Sequence, residues 1–472
     1  MSESVSAKNF DRRIVEGPLG RAVWRLAWPS MVQNAIGGLQ GIVDQAMVGH
    51  YIGYIGNAAV GASLQIFILV IVFVSSVFTG MSVLVARFAG GGDSDSVNRS
   101  VYQALLVTLL LAFGVLTPFG YVAAPTLLAM INAAPEVQAE AVPYIRILFV
   151  SSIGMLLFFM FSGALRAAGD ARTPLRLGIL MTVLNVLLNV LLIPIYGTKG
   201  AAIGTAMATL AVAGIFVWLL FSHRLVIQFS RSMSFRPDWD IIRSLFRFGL
   251  PAGFQGIVMN VGGLLMLRFI GSLPESAEAQ AVYAVCYTEL FSLVTWTSVG
   301  LMGAAATVAG QNLGAGRPDR SERGVRVAAV IGLGAAAIIG LLFLTVPHAL
   351  LAPFGMSEGH VAALGRQLLA YLALSGLFVT VALTFTGGLQ GTGDTRGPFY
   401  ISLASQVVVP VGLCAALQST RGLQASDIWL AIVIGHFTRG ALSVLRFRRG
   451  RWREIAIEIG PSGGPSRAPV LR

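Results

Sequence analysis

Long apolar runs constrain this chain more than any other feature of its sequence. Runs of about 18 or more mainly apolar residues recur along it, and each can cross a hydrocarbon core of about 30 Å. Hydrophobic residues are 55% and charged residues only 11% of the 472 residues, which is typical of a membrane protein. We predict an all-α polytopic membrane protein with twelve transmembrane helices, near residues 26–48, 58–86, 100–124, 143–165, 175–195, 200–222, 249–271, 279–303, 325–346, 363–388, 398–417 and 428–445.

The positive charges indicate how these spans are oriented. The chain has a net charge of +12, which in a soluble protein would suggest a nucleic-acid partner. With the N-terminus in the cytoplasm, all but five of the 33 lysines and arginines fall in cytoplasmic loops, tails or helix ends. This follows the positive-inside rule, so we predict a multi-pass inner-membrane protein with both termini cytoplasmic and no nucleic-acid partner. The exceptions are Arg146, Lys199, Arg268, Arg366 and Arg421.

The two halves of the chain repeat each other. The segment LRAAGDARTP, which begins at Leu165, reappears at Leu389 as LQGTGDTRGP. At nearly the same offset, a Pro and a Gln of the first span recur in the seventh. An offset of six spans gives the halves the same orientation, and parallel repeats are typical of transporters that work by alternating access. The recurring pairs are Pro29 with Pro251 and Gln33 with Gln255.

This repeat divides the chain into two parallel six-helix lobes. Between them lies the longest loop, which is basic, and the C-terminal tail is basic and then rich in Gly, Pro and Ser. We predict a cytoplasmic N-terminal tail, an N-lobe, a cytoplasmic linker, a C-lobe and a basic cytoplasmic tail. Their bounds are 1–25, 26–222, 223–246, 247–446 and 447–472.

A polar stripe runs along the first span. Gln33, Gly37 and Gln40 lie on one helical face, and Asp44 continues it. An Asp near the middle of a spanning helix costs about 2.5–3.5 kcal/mol on insertion scales, so such a residue usually has a function. The alternative is that Asp44 is neutral, or paired with a neighbouring helix, and only holds the bundle together.

The fifth and sixth spans offer partners for Asp44. Thr182, Asn185 and Asn189 share one face of the fifth span. Thr205 adds a hydroxyl near the outer end of the sixth. With Asp44, the two amides and this hydroxyl would form an oxygen-rich cluster that takes a proton or coordinates Na⁺. The alternative is that the amides only join helices, through hydrogen bonds of about 0.6 kcal/mol each.

A second intramembrane acid, Glu289, lies in the eighth span. Tyr287 and Trp296 are near it, and an acidic, aromatic surface can hold an organic cation through charge and cation–π attraction. The alternative is that Glu289 pairs with Arg268 of the seventh span. The predicted substrate cavity contains Gln33, Gln40, Glu289, Tyr287 and Trp296.

The duplicated G-D-x-R-x-P loops lie at helix ends. Gly breaks the preceding helix, Asp can pair with the nearby Arg or cap the next helix, and Pro begins that helix. We predict structural or gating roles for these loops and for the prolines of the first and seventh spans. The residues are Pro29, Pro251, Asp170, Arg172, Asp394 and Arg396.

Other kinds of site find little support. No two of the five histidines have metal-ligand spacing, and no G-x-x-x-x-G-K-[ST] motif occurs that would bind ATP. Cys286 and Cys414 both lie in apolar spans and are interpreted as packing residues. Without a catalytic cluster, we predict a protein that is not an enzyme and has no metal site and no cofactor apart from its coupling ion.

Seven motifs follow one another between about Leu19 and Arg446. The motifs are LAWPSMVQNAIGGLQGIVDQAMVGH, ALRAAGDARTP, NVLLNVLLI, GAAIGTA, FGLPAGFQ, TELFS and VAGQNLGAGRPDRSER. With them the chain resembles the multidrug and toxic compound extrusion (MATE) family, whose superfamily also holds lipid-linked oligosaccharide flippases.

The resemblance implies export of cationic or amphipathic compounds in exchange for Na⁺ or H⁺. Asn189 stands where the family has an Asp, which argues against tight Na⁺ binding and leaves Asp44 as the sole titrating group. One branch has a second acidic pair in helices seven and ten, where this chain offers Met259 and Asn260 and no acid, so we expect the branch with an N-lobe coupling site. The residues that match the family's coupling site and helix-eight acid are Asp44, Asn185, Asn189, Thr205 and Glu289.

We therefore expect a monomeric secondary active antiporter of the lipid bilayer that exports small organic cations or amphipathic compounds by alternating access. The alternative is a flippase for a lipid-linked glycan or another lipid of the same superfamily. A flippase cavity would need several arginines to hold a phosphate head group, and the spans offer little beyond Arg268.

Overall fold

The computed structural model describes residues 10–222, 224–229, 236–356 and 358–457. Most of these residues belong to twelve long helices, α1 to α12, and the described ranges contain no strand. Short helices occur at Arg13–Glu16, Pro347–Leu351, Ala352–Phe354 and Arg451–Glu454. The long helices are, in order, Leu19–Ile52, Tyr54–Gly91, Ser94–Met130, Pro135–Val150 continued by Ser152–Ala167, Arg172–Tyr196, Thr198–Phe221, Trp239–Gly271, Ser276–Gly314, Pro318–Thr345, Gly359–Thr392, Arg396–Thr420 and Ala425–Arg448.

Ten of the predicted spans fall within one of these helices, and the sixth and ninth each end one residue beyond theirs, so the predicted all-α membrane fold is confirmed. Ten of the helices are each long and apolar enough to cross a membrane, and the two parts of α4, bent by 48°, together make an eleventh span. The remaining helix is α1, which has 34 residues but carries the polar stripe. At about 1.5 Å per residue, α1 is long enough to cross the membrane. Its polar face explains why its composition is less apolar than that of the other long helices.

The helices pack into two units. Unit 1 contains Val32–Gly253, and unit 2 contains Arg13–Met31 and Phe254–Ala456. The first part of α1 therefore belongs to unit 2, and the first part of α7 belongs to unit 1. The lobe bounds drawn from the sequence stay a prediction. Parts of the predicted linker and of both predicted tails lie outside the described residues.

The sequence repeat recurs as an equivalent hydrogen bond in each unit. In unit 1, Arg166 Nη1 donates to Gln33 Oε1 at 3.3 Å. In unit 2, Gln390 Nε2 donates to Gln255 Oε1 at 3.1 Å. Gln33 aligns with Gln255 and Arg166 with Gln390, so the same two helix positions meet in both units. The two halves thus share side-chain contacts as well as helix order.

The centre of unit 2 is α10, whose residues 382–392 are all buried. A β-carbon at Gly387 would lie 2.2 Å from the carbonyl oxygen of Met302 on α8, and one at Gly391 would lie 2.1 Å from that of Ala306. Because these glycines lack side chains, the two backbones come into direct contact. Small residues four apart are the usual device for such packing between membrane helices.

We expect Gly391→Ala to destabilise unit 2, because its methyl group would force α10 away from Ala306 at a cost of about 1–3 kcal/mol. Gly334→Ala on α9 is the matched control, since its methyl group would enter open space. Cys286 and Cys414 are buried, so a thiol-reactive dye reports thermal unfolding in detergent. A melting temperature lowered in Gly391→Ala alone is expected, and equal values in both variants would contradict the packing argument.

Candidate functional site

Asp44 of α1 lies against the polar face of α5. Its Oδ1 accepts a hydrogen bond from Asn189 Nδ2 at 2.9 Å. One turn away on α5, Asn185 Nδ2 donates to Thr205 Oγ1 of α6 at 3.0 Å. Three helices therefore bring the four predicted coupling-site residues together, and we name these four residues the coupling cluster. That they bind an ion stays a prediction.

Gln40 joins the coupling cluster to a further residue of α5. Its Nε2 donates to Asn185 Oδ1 at 3.0 Å, and its Oε1 accepts from Thr182 Oγ1 at 2.7 Å. Both polar ends of Gln40 are thus bound by α5, one turn of α1 before Asp44. The polar stripe of α1 and the polar face of α5 form one continuous hydrogen-bonded seam.

The coupling cluster is closed at its amides and partly open at its carboxylate. Asn185 and Asn189 have no exposed surface, whereas Asp44 and Thr205 are half-buried. A half-buried carboxylate can exchange a proton or a cation with its surroundings. The buried amides meanwhile keep it in a fixed position relative to α5.

A glycine of α6 makes room for the Asn189 amide. A β-carbon at Gly204 would lie 2.1 Å from Asn189 Oδ1, and one at Gly200 would lie 2.2 Å from the carbonyl oxygen of Leu192. The GAAIG segment therefore sets the distance between α5 and α6. Asn189 Oδ1 has no hydrogen-bond partner in the described part of the chain, so the amide next to Asp44 holds an unused acceptor.

Tyr144 of α4 is a neighbour of the cluster that the sequence does not reveal. Its side chain is buried and interacts electrostatically with Asp44. A tyrosine in an apolar span is ordinarily a core residue, so only the fold distinguishes it. Gly204 was detectable in principle, because GAAIG has the small-residue spacing of close helix pairs.

The predicted substrate-cavity residues are divided between the two units. Gln33 is bound to Arg166 in unit 1, separately from the coupling cluster. In unit 2, Glu289 of α8 is exposed, and Tyr287 and Trp296 are half-buried. Whether these residues contact a substrate stays a prediction.

The alternative partner of Glu289 is not found. Arg268 and Glu289 are both exposed, and neither forms an ion pair with any residue that the structure describes. Glu289 is therefore available to another group.

Pro29 and Pro251 lie inside α1 and α7. Each removes one backbone donor from its helix and weakens it locally. Each comes four residues before an aligned glutamine, Gln33 or Gln255, so the weak points are equivalent positions of the repeat. A gating role for these prolines stays a prediction.

The first G-D-x-R-x-P loop caps a helix. Asp170 Oδ1 accepts the backbone N–H groups of Arg172 at 3.1 Å and Thr173 at 3.0 Å, at the beginning of α5. The Arg172 side chain is exposed and forms no ion pair within the described ranges. Of the two predicted roles of Asp170, pairing with the nearby Arg or capping the next helix, the structure shows the capping role.

The second loop adds an ion pair to the cap. Asp394 Oδ1 accepts the backbone N–H of Gly397 at 3.0 Å, and Asp394 Oδ2 accepts from Arg446 Nε of α12 at 2.8 Å. Arg396 is exposed, and among the described residues it pairs with no acid. The basic partner of Asp394 therefore comes from another helix and not from its own loop.

The chain is similar to known proteins along most of its length. The MatE family model matches residues 29–191 and 251–415. A probable multidrug resistance protein NorM of Thermotoga maritima is 27% identical over 449 residues, which cover 92% of this chain and 93% of the relative. A probable multidrug resistance protein NorM of Deinococcus radiodurans is 28% identical over 447 residues, which cover 90% of this chain and 94% of that relative. A solved MOP superfamily transporter from Pyrococcus furiosus has a TM-score of 0.87 at 20% identity, covering 95% of this chain and all of that one.

Repeated helical units and a half-buried carboxylate held by amides within the bundle define a polytopic membrane transporter. The family model covers more than half of the residues, and the chain belongs to the MatE family. The resemblance to the MATE family is thereby confirmed, and the protein is a transporter and not an enzyme. Its relation to the branch with an N-lobe coupling site stays a prediction.

We expect Gly204→Ala to impair transport, because its methyl group would push the Asn189 amide away from Asp44. Gly214→Ala, also on α6, is the matched control, since a β-carbon there meets open space. Dye efflux from liposomes should fall several-fold in Gly204→Ala and stay unchanged in the control.

A stability measurement separates this effect from misfolding. Combining Gly204→Ala with Asn189→Ala removes the clash, so the melting temperature should recover while transport stays low. Full transport in Gly204→Ala would show that the Asn189 position is not needed.

Proposed function

We propose that the protein is a secondary active multidrug efflux antiporter, which exports cationic or amphipathic organic compounds in exchange for H⁺ by alternating access. The observation that carries this proposal is Asp44, a half-buried carboxylate bound to Asn189 across two helices. Relatives from Thermotoga maritima and Deinococcus radiodurans are named probable multidrug resistance proteins, which supports the substrate class.

The atoms around Asp44 favour a proton over Na⁺ as the coupling ion. Sodium needs several oxygen ligands at once, because it is a hard cation. Asn189 instead directs its N–H toward the carboxylate, and Asn185 Oδ1 already accepts from Gln40. A proton needs only the carboxylate itself.

Protonation would reverse the hydrogen bond between α1 and α5. A neutral Asp44 would carry an O–H donor, and Asn189 Oδ1 is an acceptor that no described residue uses. Rotation of the amide about its last side-chain bond would bring this oxygen to the new donor. In this proposal the exchange shifts α1 against α5 and α6, weakens the hold on the exported compound and releases it outward.

The charge distribution supports an orientation in the inner membrane. Most lysines and arginines fall on one side of the predicted spans, so we propose that both termini lie in the cytoplasm. We propose a monomer, because a single chain contains both units.

We expect Asp44→Asn to abolish coupled export, because the amide cannot exchange a proton. Purified protein in liposomes is given a pH gradient or a Na⁺ gradient, and ethidium efflux is followed. Asp95→Asn is the control, because it removes an exposed carboxylate at the start of α3. Efflux driven by the pH gradient should be lost only in Asp44→Asn.

The same liposomes test the alternative function. If neither gradient moves ethidium but a fluorescent lipid crosses between leaflets, the protein is a flippase and the antiport proposal fails. Efflux that depends on Na⁺ alone would retain antiport and change the ion.

We expect Asn189→Asp to add Na⁺ dependence to a proton-driven protein, because a second carboxylate beside Asp44 attracts and coordinates a cation. A Na⁺ gradient alone should then drive efflux in this variant and not in the wild type. Asn132→Asp adds the same charge at an exposed turn and should have no effect. An unchanged ion response in Asn189→Asp would argue against ion coupling at this position.

A further inference from the structure

A cavity of about 300 Å³ lies within unit 2, between α7, α8, α11 and α12. In the order of the repeat, α7, α11 and α12 correspond to α1, α5 and α6, which hold the coupling cluster in unit 1. The size is at the lower end of the range for small-molecule sites. The wall includes Met259, Met266, Tyr283, Tyr287, Gln406 and His436.

Arg439 of α12 is not itself in the wall but contacts Met259, which is. Its side chain is only 3% exposed, and Nη2 lies 3.6 Å from the Sδ atom of Met259, a weak acceptor. Its Nε has no hydrogen-bond partner, and none of the ion pairs in the described part of the chain includes it. At about 1.5 Å per residue along the helix, Arg439 lies about 14 Å from the end of α12 at Arg448. A guanidinium at such depth is costly without an anion.

From the sequence, Arg439 is predicted to belong with the basic residues at the cytoplasmic helix ends. The structure corrects this, because the side chain is buried inside the helix bundle of unit 2. The prediction that the spans contain little arginine beyond Arg268 is therefore wrong, because Arg439 is buried within α12. Arg268 is exposed and Arg439 is the buried one.

A second unpartnered polar group lines the cavity. His436 is 4% exposed, and its Nδ1 has no hydrogen-bond partner among the described residues. It lies one helical turn before Arg439 on the same face of α12. Tyr287 and His436 are both close enough to Arg439 to interact with its charge. Two nitrogen atoms without partners among the described residues, one from an imidazole and one from a guanidinium, thus lie at or next to one cavity.

Aromatic rings of nearly parallel planes form the other part of the wall. The centroids of Tyr283 and Tyr287 are 4.8 Å apart with an angle of 10° between planes. The centroids of Tyr287 and His436 are 6.3 Å apart, again at 10°. Stacked rings give the wall an aromatic, apolar surface, against which a flat aromatic molecule can pack and bury apolar area.

Unusual backbone surrounds the same cavity. Tyr283 and Tyr287 belong to a π-helical segment, Tyr283–Leu290, inside α8. Gln406 and Ser405, also in the wall, belong to another, Ala404–Val408, inside α11. π-Helical turns are rare and occur frequently at functional sites. Two π-helical segments at one cavity indicate that the shape of the cavity depends on this departure from regular α-helix.

We propose that this cavity binds an aromatic carboxylate, with its carboxylate group at Arg439 and His436 and its ring against Tyr283 and Tyr287. The guanidinium would exchange the weak Met259 contact for a charge-assisted bond, which a carboxylate can form with two oxygens. The binding goes beyond the proposed cation efflux and does not depend on it.

The experiment is equilibrium binding of 1-naphthoate to the full-length protein in lipid nanodiscs, without any gradient. The neutral 1-naphthamide is the matched ligand. Wild type should bind naphthoate about ten- to hundredfold more tightly than the amide, and Arg439→Gln should lose this difference. Arg268→Gln removes an exposed arginine of unit 2 and should bind like wild type. Asp44→Asn should also bind normally, so failure of proton coupling and failure of this site are distinguishable.

A steric variant keeps the test decisive if Arg439→Gln does not fold. Gly263 lines the cavity, and a β-carbon there meets open space, so Gly263→Leu should fold and block both ligands. Equal binding of naphthoate and naphthamide by wild type, no naphthoate binding, or unchanged naphthoate binding in Gly263→Leu would overturn the proposal. Competition by sulfate as strong as by naphthoate would overturn the aromatic part.

Discussion

The hydrogen bond between Asp44 and Asn189 is the interaction on which the arrangement of unit 1 depends. It places a carboxylate within a helix bundle of the membrane, where an acid is costly unless a neighbour stabilises it. The neighbour can be close enough only because Gly204 leaves space for the Asn189 amide. A small residue on α6 thus controls the chemistry of an acid on α1 through the position of α5.

The repeat has diverged in charge while keeping its helix order. Gln33 and Gln255 each accept a hydrogen bond from the aligned position at the end of α4 or α10. The helices α1, α5 and α6 hold an acid, whereas α7, α11 and α12 hold the buried Arg439. Duplication supplies two copies of one scaffold, and a few substitutions inside each give it a different electrostatic character.

Both polar sites contain donors or acceptors that lack partners. Within the described ranges, Asn189 Oδ1 has no partner beside Asp44, and His436 Nδ1 and Arg439 Nε have none beside the cavity of unit 2. Buried polar atoms without partners destabilise a fold, and a ligand or a change of protonation can satisfy them. The π-helical segments of α8 and α11 are a comparable departure in the backbone, because each replaces regular α-helical hydrogen bonding at the cavity wall.

The sequence by itself determined the all-α membrane fold, the repeat and the candidate residues of the coupling cluster. These follow from local rules: apolar length decides what can span, and residues three or four apart share a face, as Asn185 and Asn189 do. Only the tertiary structure decided which faces meet. In the tertiary structure Gln40 is hydrogen-bonded to α5, Glu289 and Arg268 form no ion pair with each other, and Arg439 lies next to a cavity. Contacts between residues far apart in the chain depend on how helices pack, and no spacing along one helix encodes that distance.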